Sequence, residues 1–319
     1  MTIGSEPVAD PAMPRDSPGA WPARRRRKRS PLAAQRRRTG ILFTLPVAAL
    51  IGSLLLIPIG QTFYYSFTNW DGFTSQWIGF AAYRNLFNTP EFVTVLENNA
   101  VMVLAIPVAI ALPLAVAFLL NTHLRGWKFF RSAFFLPTAV SWVVIAFVAR
   151  RFFDPDKQGI LRSLLDNTGL GFWHPDLLSH EHSALIAVMI TFIWSVFGTN
   201  MIIFLAGMST IDQEIYDAAK VDGAGSFTVM VRITFPLLKR FVSFAFIISL
   251  ITAFSALFSL IIVMTNGGPG YGSTTLEFFI YEKAFTESNF GVGATAGVVL
   301  FALVFAVSMV QMRLLRSDD

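Results

Sequence analysis

The chain has 319 residues, of which 54% are hydrophobic and only 14% charged, and its net charge is +5. Because a soluble domain carries about 25% charged residues, this composition indicates a protein embedded in lipid. The chain contains no cysteine, which excludes disulfides, thiol nucleophiles and thiolate metal sites. Its histidines, His123, His174, His180 and His182, are too scattered to form a metal centre, so we predict no metal site.

The positive charge comes from a basic cluster that precedes the first apolar segment. Residues 24–29 and 36–38 together supply nine positive charges. Beside a membrane helix, such a cluster is attracted to anionic lipid and favours the cytoplasmic side. A cleaved signal peptide is the alternative, but the apolar run that follows is far longer than a signal sequence needs. We therefore expect residues 1–38 to form a disordered, basic, cytoplasmic tail.

Six segments without Asp, Glu, Lys or Arg are long enough to cross a bilayer. In chain order they are residues 39–70, 98–124, 132–149, 182–211, 241–276 and 288–312. The third is short and would extend past its basic ends by snorkelling, and Pro107 and Pro113 are expected to kink the second. The expected fold class is an all-α integral membrane protein with six transmembrane helices.

The distribution of Lys and Arg predicts the orientation of these helices. With the N-terminus inside, the inner segments hold 19 of these residues and the outer segments hold 6. Cytoplasmic segments of membrane proteins carry the excess of Lys and Arg. Both termini, and the polar segment between the fourth and fifth spans, are therefore expected in the cytoplasm.

That polar segment, residues 209–240, is predicted to form two short helices joined by a turn, and we call it the elbow. Asp212 can cap the first helix, which Gly223 would interrupt. Ser226 can cap the second helix, which would be stopped by Pro236. The simplest alternative is an ordinary amphipathic hairpin at the membrane surface.

The spacing within the elbow resembles the EAA loop of the membrane subunits of ATP-binding-cassette importers, the cytoplasmic segment that docks into the ATPase. An acidic-Ala-Ala triplet is followed by Gly six residues after the acid, by Ile ten residues further on, and then by Phe-Pro. Asp replaces the usual Glu of the triplet, and Asp212 stands where Pro is common. The resemblance implies ATPase coupling through small residues that let a partner approach and acids that attract its basic groups: Asp217, Ala218, Ala219, Asp222, Gly223 and Ala224.

Three further segments, residues 66–72, 204–208 and 265–285, resemble sugar importer permeases of the maltose and oligosaccharide class. The resemblance implies a transmembrane permease domain at residues 39–316, in a multi-pass protein of a bacterial cell membrane. It also implies a second homologous permease, two ATPase subunits and an extracytoplasmic sugar-binding protein as partners. No Gly-x-x-x-x-Gly-Lys-Ser/Thr loop is present, so ATP and Mg²⁺ would bind to the partner ATPase and this chain would be neither an enzyme nor a cofactor carrier.

Polar and aromatic residues of spans four and five are the candidate sugar contacts, because amides and hydroxyls bond sugar hydroxyls and aromatic rings stack on sugars. They are Trp194, Thr199, Asn200, Ser255, Phe258 and Ser259. Trp194 precedes Asp217 by 23 residues, the distance at which the resemblance implies a pore aromatic. The alternative for each is a structural role, since polar side chains in membrane helices often bond their own backbone or a neighbouring helix.

Other functions remain as alternatives. An importer of glycerol phosphate or a polyol is the nearest, although a phosphate favours a cation and the six segments contain no Lys or Arg. An ion-coupled secondary transporter usually needs intramembrane carboxylates, which these segments lack. A membrane-anchored nucleic-acid binder would leave the six spans and the elbow unexplained, so we expect no nucleic acid among the partners.

Overall fold

The computed structural model describes residues 31–122, 126–156, 159–169, 172 and 176–316, without the side chains of residues 31–39, 41 and 314–316. The chain divides into two compact units, Met1–Ile57 and Pro58–Asp319. Most of the predicted tail lies outside the described residues, as do His123 and His174. The described part of the first unit is helical from Pro31.

The described residues contain helices and no β-strand, apart from an isolated bridge between Thr68 and Trp77. The α-helices are, in chain order, α1 (Pro31–Ile51), α2 (Ile57–Tyr65), α3 (Ala81–Phe87), α4 (Pro90–Asn121), α5 (Trp127–Phe135), α6 (Trp142–Phe153), α7 (Ile160–Asn167), α8 (Glu181–Met208), α9 (Gln213–Val221), α10 (Ser226–Val229), α11 (Phe235–Leu237), α12 (Lys239–Ala253), α13 (Leu257–Met264), α14 (Leu276–Tyr281) and α15 (Phe290–Arg316).

Within the first unit, α1 passes into a π-helical turn, Gly52–Leu56. Its described apolar side chains, among them Leu42, Phe43 and Leu54, are exposed at the surface of the chain. A helix that exposes apolar side chains in this way is suited to lipid rather than water.

Four helical segments are long and apolar enough to cross a membrane: Leu42–Tyr65, Pro90–Asn121, Glu181–Met208 and Phe290–Arg313. Two pairs of helices meet the same criteria together but are bent, Trp127–Ala139 with Trp142–Phe153 by 105° and Ser226–Leu237 with Lys239–Ala253 by 77°. Among the described residues there are thus four candidate spans, or up to six if each bent pair is one span. The predicted helical membrane class is confirmed at this level.

The third and fifth predicted spans are not single straight helices. In the third, a 3₁₀ turn at Leu136–Ala139 contains Pro137, and Val140 and Ser141 are extended before α6 begins. The proline lacks an amide proton and so cannot continue an α-helical hydrogen-bond ladder. In the fifth, α12 ends at Ala253 and α13 begins at Leu257, with a turn between them. The charge-free segments located these regions but could not show the breaks.

The core of the second unit forms where α4 and α8 pack together, with contributions from α6, α12 and α13. Large apolar side chains fill it, including Ile106, Phe192, Met201 and Phe204, all fully buried. Asn200 is also fully buried, and its Nδ2 donates hydrogen bonds to Ala109 O at 2.8 Å and Ser249 Oγ at 3.0 Å. One amide side chain therefore links α8 to both α4 and α12.

Two of the segments that resemble sugar permeases are connected to the long helices by hydrogen bonds. In residues 66–72, Ser66 O accepts a hydrogen bond from Thr295 Oγ1 at 2.9 Å, and Trp70 O accepts one from Gly291 N at 2.8 Å. In the loop after α13, Asn98 Nδ2 donates to Tyr271 O at 2.8 Å and to Thr274 O at 2.9 Å. These bonds hold the ends of the long helices together.

Candidate functional sites

The elbow contains the two predicted helices, and a glycine turn joins them. At the end of α9, Gly223 has φ +75°, its N–H donates to Lys220 O at 3.0 Å, and Ala224 N–H donates to Ala219 O at 2.9 Å. These two bonds form a Schellman motif, which needs a left-handed residue at the position of Gly223. A side chain at Gly223 would meet no atom within 4 Å, so its role within this chain is conformational rather than steric.

The helix starts and the helix stop of the elbow differ from the sequence prediction. Asp212 occupies the N-cap position of α9, but its side chain makes no capping bond. Gly225, not Ser226, precedes α10. The second helix also continues past the predicted stop, because a π turn at Met230–Thr234 leads into α11 and Pro236 is the penultimate residue of the continuous helix Ser226–Leu237. The chain bends directly after that helix.

One face of the elbow is buried in this chain's own core. Tyr216 and Ala219 of α9 are buried, as are Val229 and Leu238, and Ala219 is only 6% exposed. Ala224 is half-buried and packs against the same core. Intrachain packing therefore already occupies the side of the helix that carries Ala219, and a role for Ala219 in ATPase coupling stays a prediction.

The opposite face of the elbow exposes small and apolar residues. Ala218, Asp222 and Gly223 are exposed. Beside them Val221 is 88% exposed and Phe227 is 74% exposed, which no intrachain packing explains. The sequence analysis missed these two residues, although both lie on a segment already identified as a docking candidate. We call Ala218, Val221, Asp222, Gly223 and Phe227 the exposed elbow face.

Asp217 is paired within the elbow itself. Its Oδ1 accepts hydrogen bonds from Lys220 Nζ at 2.9 Å and from Gln213 Nε2 at 3.4 Å. The Lys220 bond is the main reason that the pKa of Asp217 is lowered from 3.8. Both side chains of the ion pair are well exposed. A partner's basic group would therefore compete with Lys220 for this carboxylate.

The segment that leads from the elbow into α12 packs tightly on the end of α8. A Cβ atom added at Gly207 would lie 2.7 Å from Leu238 Cδ2 and 2.7 Å from Phe241 Cγ. Both distances are shorter than van der Waals contact, so only glycine permits this approach. Leu238 and Phe241 flank the bend into α12, and the elbow is thus joined directly to α8.

A polar cavity of about 250 Å³ lies between the bent third segment, α8 and α12. The predicted residues Thr199 and Asn200 line it together with Ser195, Ser249 and Thr252. The remaining lining residues are uncharged as well: Pro137, Thr138, Val140, Trp142, Ile145, Val196 and Ile248. The cavity therefore offers hydroxyls, one carboxamide and one indole ring, and no ionisable side chain.

Some of these polar groups are already committed within the chain. Asn200 Nδ2 links three helices as described, Ser195 Oγ donates to Thr191 O at 2.7 Å, and Thr252 Oγ1 donates to Ile248 O at 2.7 Å. Thr199 has no side-chain hydrogen bond to another described residue and is half-buried. Its hydroxyl is consequently the most available polar group in the cavity.

Trp194 does not lie with the predicted polar residues. It is 45% exposed and borders a separate, mostly apolar cleft together with Phe152, Phe153 and Ile190. Five residues along an α-helix correspond to a rotation of about 140°, so Trp194 and Thr199 lie on different faces of α8. Trp194 is therefore separated from the polar residues of spans four and five, and its role as a sugar contact stays a prediction. Trp142, which the sequence analysis missed, is the indole of the polar cavity.

The three predicted residues of the second half of span five also lie outside the cavity. Ser255 is exposed in the turn after α12, and its Oγ donates to Ile251 O at 2.7 Å. The Phe258 ring lies 5.0 Å from that of Tyr281 and 6.2 Å from that of Phe278, centroid to centroid. Ser259 is half-buried on α13. The structure thus separates the predicted pore set into three places.

A carboxyl that the sequence analysis did not single out lies next to this region. Glu277 of α14 has one oxygen, Oε2, that accepts a hydrogen bond from Phe258 N–H at 3.0 Å. Its other oxygen is enclosed and has no hydrogen-bond partner among the described residues. Burial is the main cause that raises the pKa of Glu277 to about 8. Within the described part of the chain, no group of His, Asp and Glu side chains is arranged to bind a metal ion.

Comparison with known proteins gives relatives along nearly the whole chain. The chain is 33% identical over 270 residues to the probable ABC transporter permease protein PH1215 of Pyrococcus horikoshii, a match that covers 84% of this chain and 92% of that protein. It is 31% identical over 317 residues to the diacetylchitobiose uptake system permease protein NgcF of Streptomyces coelicolor, covering 94% and 88% of the two chains.

The fold matches that of a solved transporter. One chain in the crystal structure of a bacterial ABC transporter involved in the import of the acidic polysaccharide alginate superposes with a TM-score of 0.75 at 20% sequence identity. The match covers 90% of this chain and 98% of that chain. The model of the family described as the inner membrane component of binding-protein-dependent transport systems matches residues 80–318. The chain therefore belongs to this family, as a multi-pass permease subunit of an ABC transporter.

Proposed function

We propose that this chain forms half of the pathway of an ATP-driven importer for a neutral, hydroxyl-rich solute, a sugar or oligosaccharide. The observation that carries the proposal is the polar cavity between the bent third segment, α8 and α12. Its lining contains hydroxyls, a carboxamide and an indole ring but no charged side chain. Such groups can bond sugar hydroxyls and stack on a sugar ring, whereas a phosphate ester would require a cation.

The arrangement of the helices supports a six-span topology with both termini in the cytoplasm. The first bent pair, Trp127–Ala139 with Trp142–Phe153, then counts as one span and contains the charge-free segment 132–149. In the second pair only Lys239–Ala253 overlaps the charge-free segment 241–276, and Ser226–Leu237 belongs to the elbow. The bias of Lys and Arg toward the inner segments favours the same orientation. In that orientation the elbow would lie in the cytoplasm and the Gly-rich loop after α13 outside.

The proposed assembly contains a second, homologous permease, two ATPase subunits that bind ATP and Mg²⁺, and an extracytoplasmic sugar-binding protein. The exposed elbow face would dock into one ATPase. Val221 and Phe227 would supply apolar contact there, and Ala218 would leave room for the partner. Apolar side chains exposed on a polar segment commonly mark a protein–protein interface.

Coupling would pass from the elbow to the cavity through α8. Leu238 and Phe241 press on Gly207 at the end of that helix, and Thr199 and Asn200 line the cavity two turns before it. Closure of the ATPases would move the elbow and α8 as one body, because tightly packed elements shift together rather than deform. This movement would switch the cavity between outward and inward access.

The test compares two matched substitutions on α8. Thr199→Val removes the available hydroxyl of the cavity, whereas Thr191→Val removes a hydroxyl that bonds Ala187 O and faces the apolar cleft. Uptake of a panel of radiolabelled neutral mono- and disaccharides and of glycerol 3-phosphate is measured in cells that express the complete transporter. We expect the transporter to take up a neutral sugar. Thr199→Val should lower the affinity for that sugar severalfold, whereas Thr191→Val should leave the affinity unchanged. Uptake of glycerol 3-phosphate alone would contradict the proposal.

A further inference from the structure

The break in the fifth span lacks a local cap. Residues 254–256 form a turn in which the N–H groups of Ser255 and Ala256 donate to Thr252 O at 3.3 and 2.9 Å. The helix α13 then begins at Leu257, and its N-cap residue, Ala256, has no side chain that could accept a hydrogen bond. The first amides of a helix have no partner within it, and inside a membrane an unpaired amide is costly.

Glu277 supplies the missing acceptor from another part of the chain. Its Oε2 accepts from Phe258 N–H at 3.0 Å, across a separation of 19 residues. Phe258 is the second residue of α13, where a capping side chain normally acts. The aromatic rings of Phe258, Phe278 and Tyr281 pack against one another, with centroids 5.0–6.2 Å apart.

We propose that Glu277 is a positioning residue of the transport pathway, which caps α13 from α14 and thereby fixes the break in the fifth span. The cavity residue Thr252 is bonded to that break through its own carbonyl oxygen. Movement of α13 would therefore displace Thr252 and Ser255. The link to transport rests on the proposed function, whereas the capping itself does not.

The absence of cysteine from the sequence allows a direct test. Ala253→Cys places one buried thiol at the edge of the break, and its rate of reaction with N-ethylmaleimide is measured by mass spectrometry in membranes that contain the full chain. Glu277→Met keeps most of the side-chain volume but cannot accept the Phe258 bond. We expect this change to raise the reaction rate about tenfold, the factor expected for losing one hydrogen bond to a helix amide.

Two variants separate capping from general damage. Glu277→Gln keeps an acceptor oxygen, and we expect it to leave the reaction rate unchanged. Glu282→Met is the matched control, because Glu282 also has an enclosed oxygen without a partner among the described residues, yet it makes no bond to α13. We expect no change there either. If Glu277→Met does not accumulate, Glu277→Asp replaces it, since its shorter side chain cannot reach the amide.

The proposal would be overturned if Glu277→Met or Glu277→Asp left the reaction rate of the thiol unchanged. It would also be overturned if Glu277→Gln raised that rate as much as Glu277→Met. The assay contains no sugar, so its outcome is independent of whether the chain imports one. Uptake measured on the same variants tests the pathway role, which predicts a severalfold loss with Met and normal uptake with Gln. Normal uptake with Met, despite a faster reaction, would remove Glu277 from the transport pathway.

Discussion

The elbow and the polar cavity differ in how the chain builds them. The elbow is one contiguous segment of about thirty residues, with its turn closed by two local hydrogen bonds at Gly223. The cavity is assembled from residues at positions 137–145, 195–200 and 248–252, which meet only in the folded bundle. A local motif can be recognised by spacing, whereas a cavity depends on which face each helix turns inward.

Two glycines, one at the end of α8 and one within the elbow, serve different purposes. At Gly207, α8 lies so close to the segment that leads from the elbow into α12 that no side chain fits. At Gly223 space is free and the backbone conformation requires glycine. Substitutions at these two positions can therefore separate the packing of the elbow on α8 from the conformation of its turn.

Gly207→Leu should have the largest effect, because it places a side chain where Leu238 and Phe241 already lie. We expect a loss of about 3 kcal/mol in stability and little assembled protein, in line with overpacked sites. Gly225→Leu is the matched control, since a side chain there meets no atom within 4 Å. Thermal unfolding of the detergent-purified protein measures both, and similar melting temperatures would show that the elbow is not joined to α8 in this way.

Asn200→Leu tests whether the hydrogen bonds that connect α8 to α4 and α12 at the cavity stabilise the fold. The substitution keeps the volume but removes the bonds to Ala109 O and Ser249 Oγ. We expect a loss of about 1–2 kcal/mol, typical of hydrogen bonds between membrane helices. Thr199→Val, one residue away and without an intrachain bond among the described residues, should leave the melting temperature unchanged. An equal shift of the melting temperature in both variants would show that the hydrogen bonds of Asn200 add no stability of their own.

These differences show how far sequence alone could lead. The elbow helices, the turn at Gly223 and the long apolar helices follow from spacing, charge and glycine chemistry, and they were predicted. The separation of Trp194 from Thr199 was within reach, since a helical rotation of about 140° follows from their spacing. The burial of Ala219 and the meeting of Glu277 with Phe258 depend on long-range packing, and no local pattern indicates them.

Substitutions at Gly223 can distinguish two reasons for a glycine at this position of the elbow. If backbone conformation decides, Gly223→Ala should cost about 1 kcal/mol, because L-residues are strained in the left-handed region. Gly223→Asn should cost less, since Asn tolerates that region better despite its greater bulk. If close approach to the ATPase decides, Asn should impair transport more than Ala. Melting temperature and transport-coupled ATP hydrolysis, measured on both variants, distinguish the two.

Asp217→Asn should have the smallest effect on stability and a selective effect on coupling. The lowered pKa of Asp217 means that its ion pair contributes above the ordinary value of 3.8 and loses that contribution as the pH falls below it. At neutral pH the pair is therefore fully formed, but both side chains are exposed and water screens them, so the melting temperature should not change. If a basic group of the ATPase competes with Lys220 for this carboxylate, Asp217→Asn should reduce transport-coupled ATP hydrolysis. Lys220→Met should preserve or raise it, because the carboxylate is then free for the partner. The same loss of hydrolysis in both variants would instead indicate that the intact Asp217–Lys220 pair shapes the elbow, and that the partner does not contact Asp217.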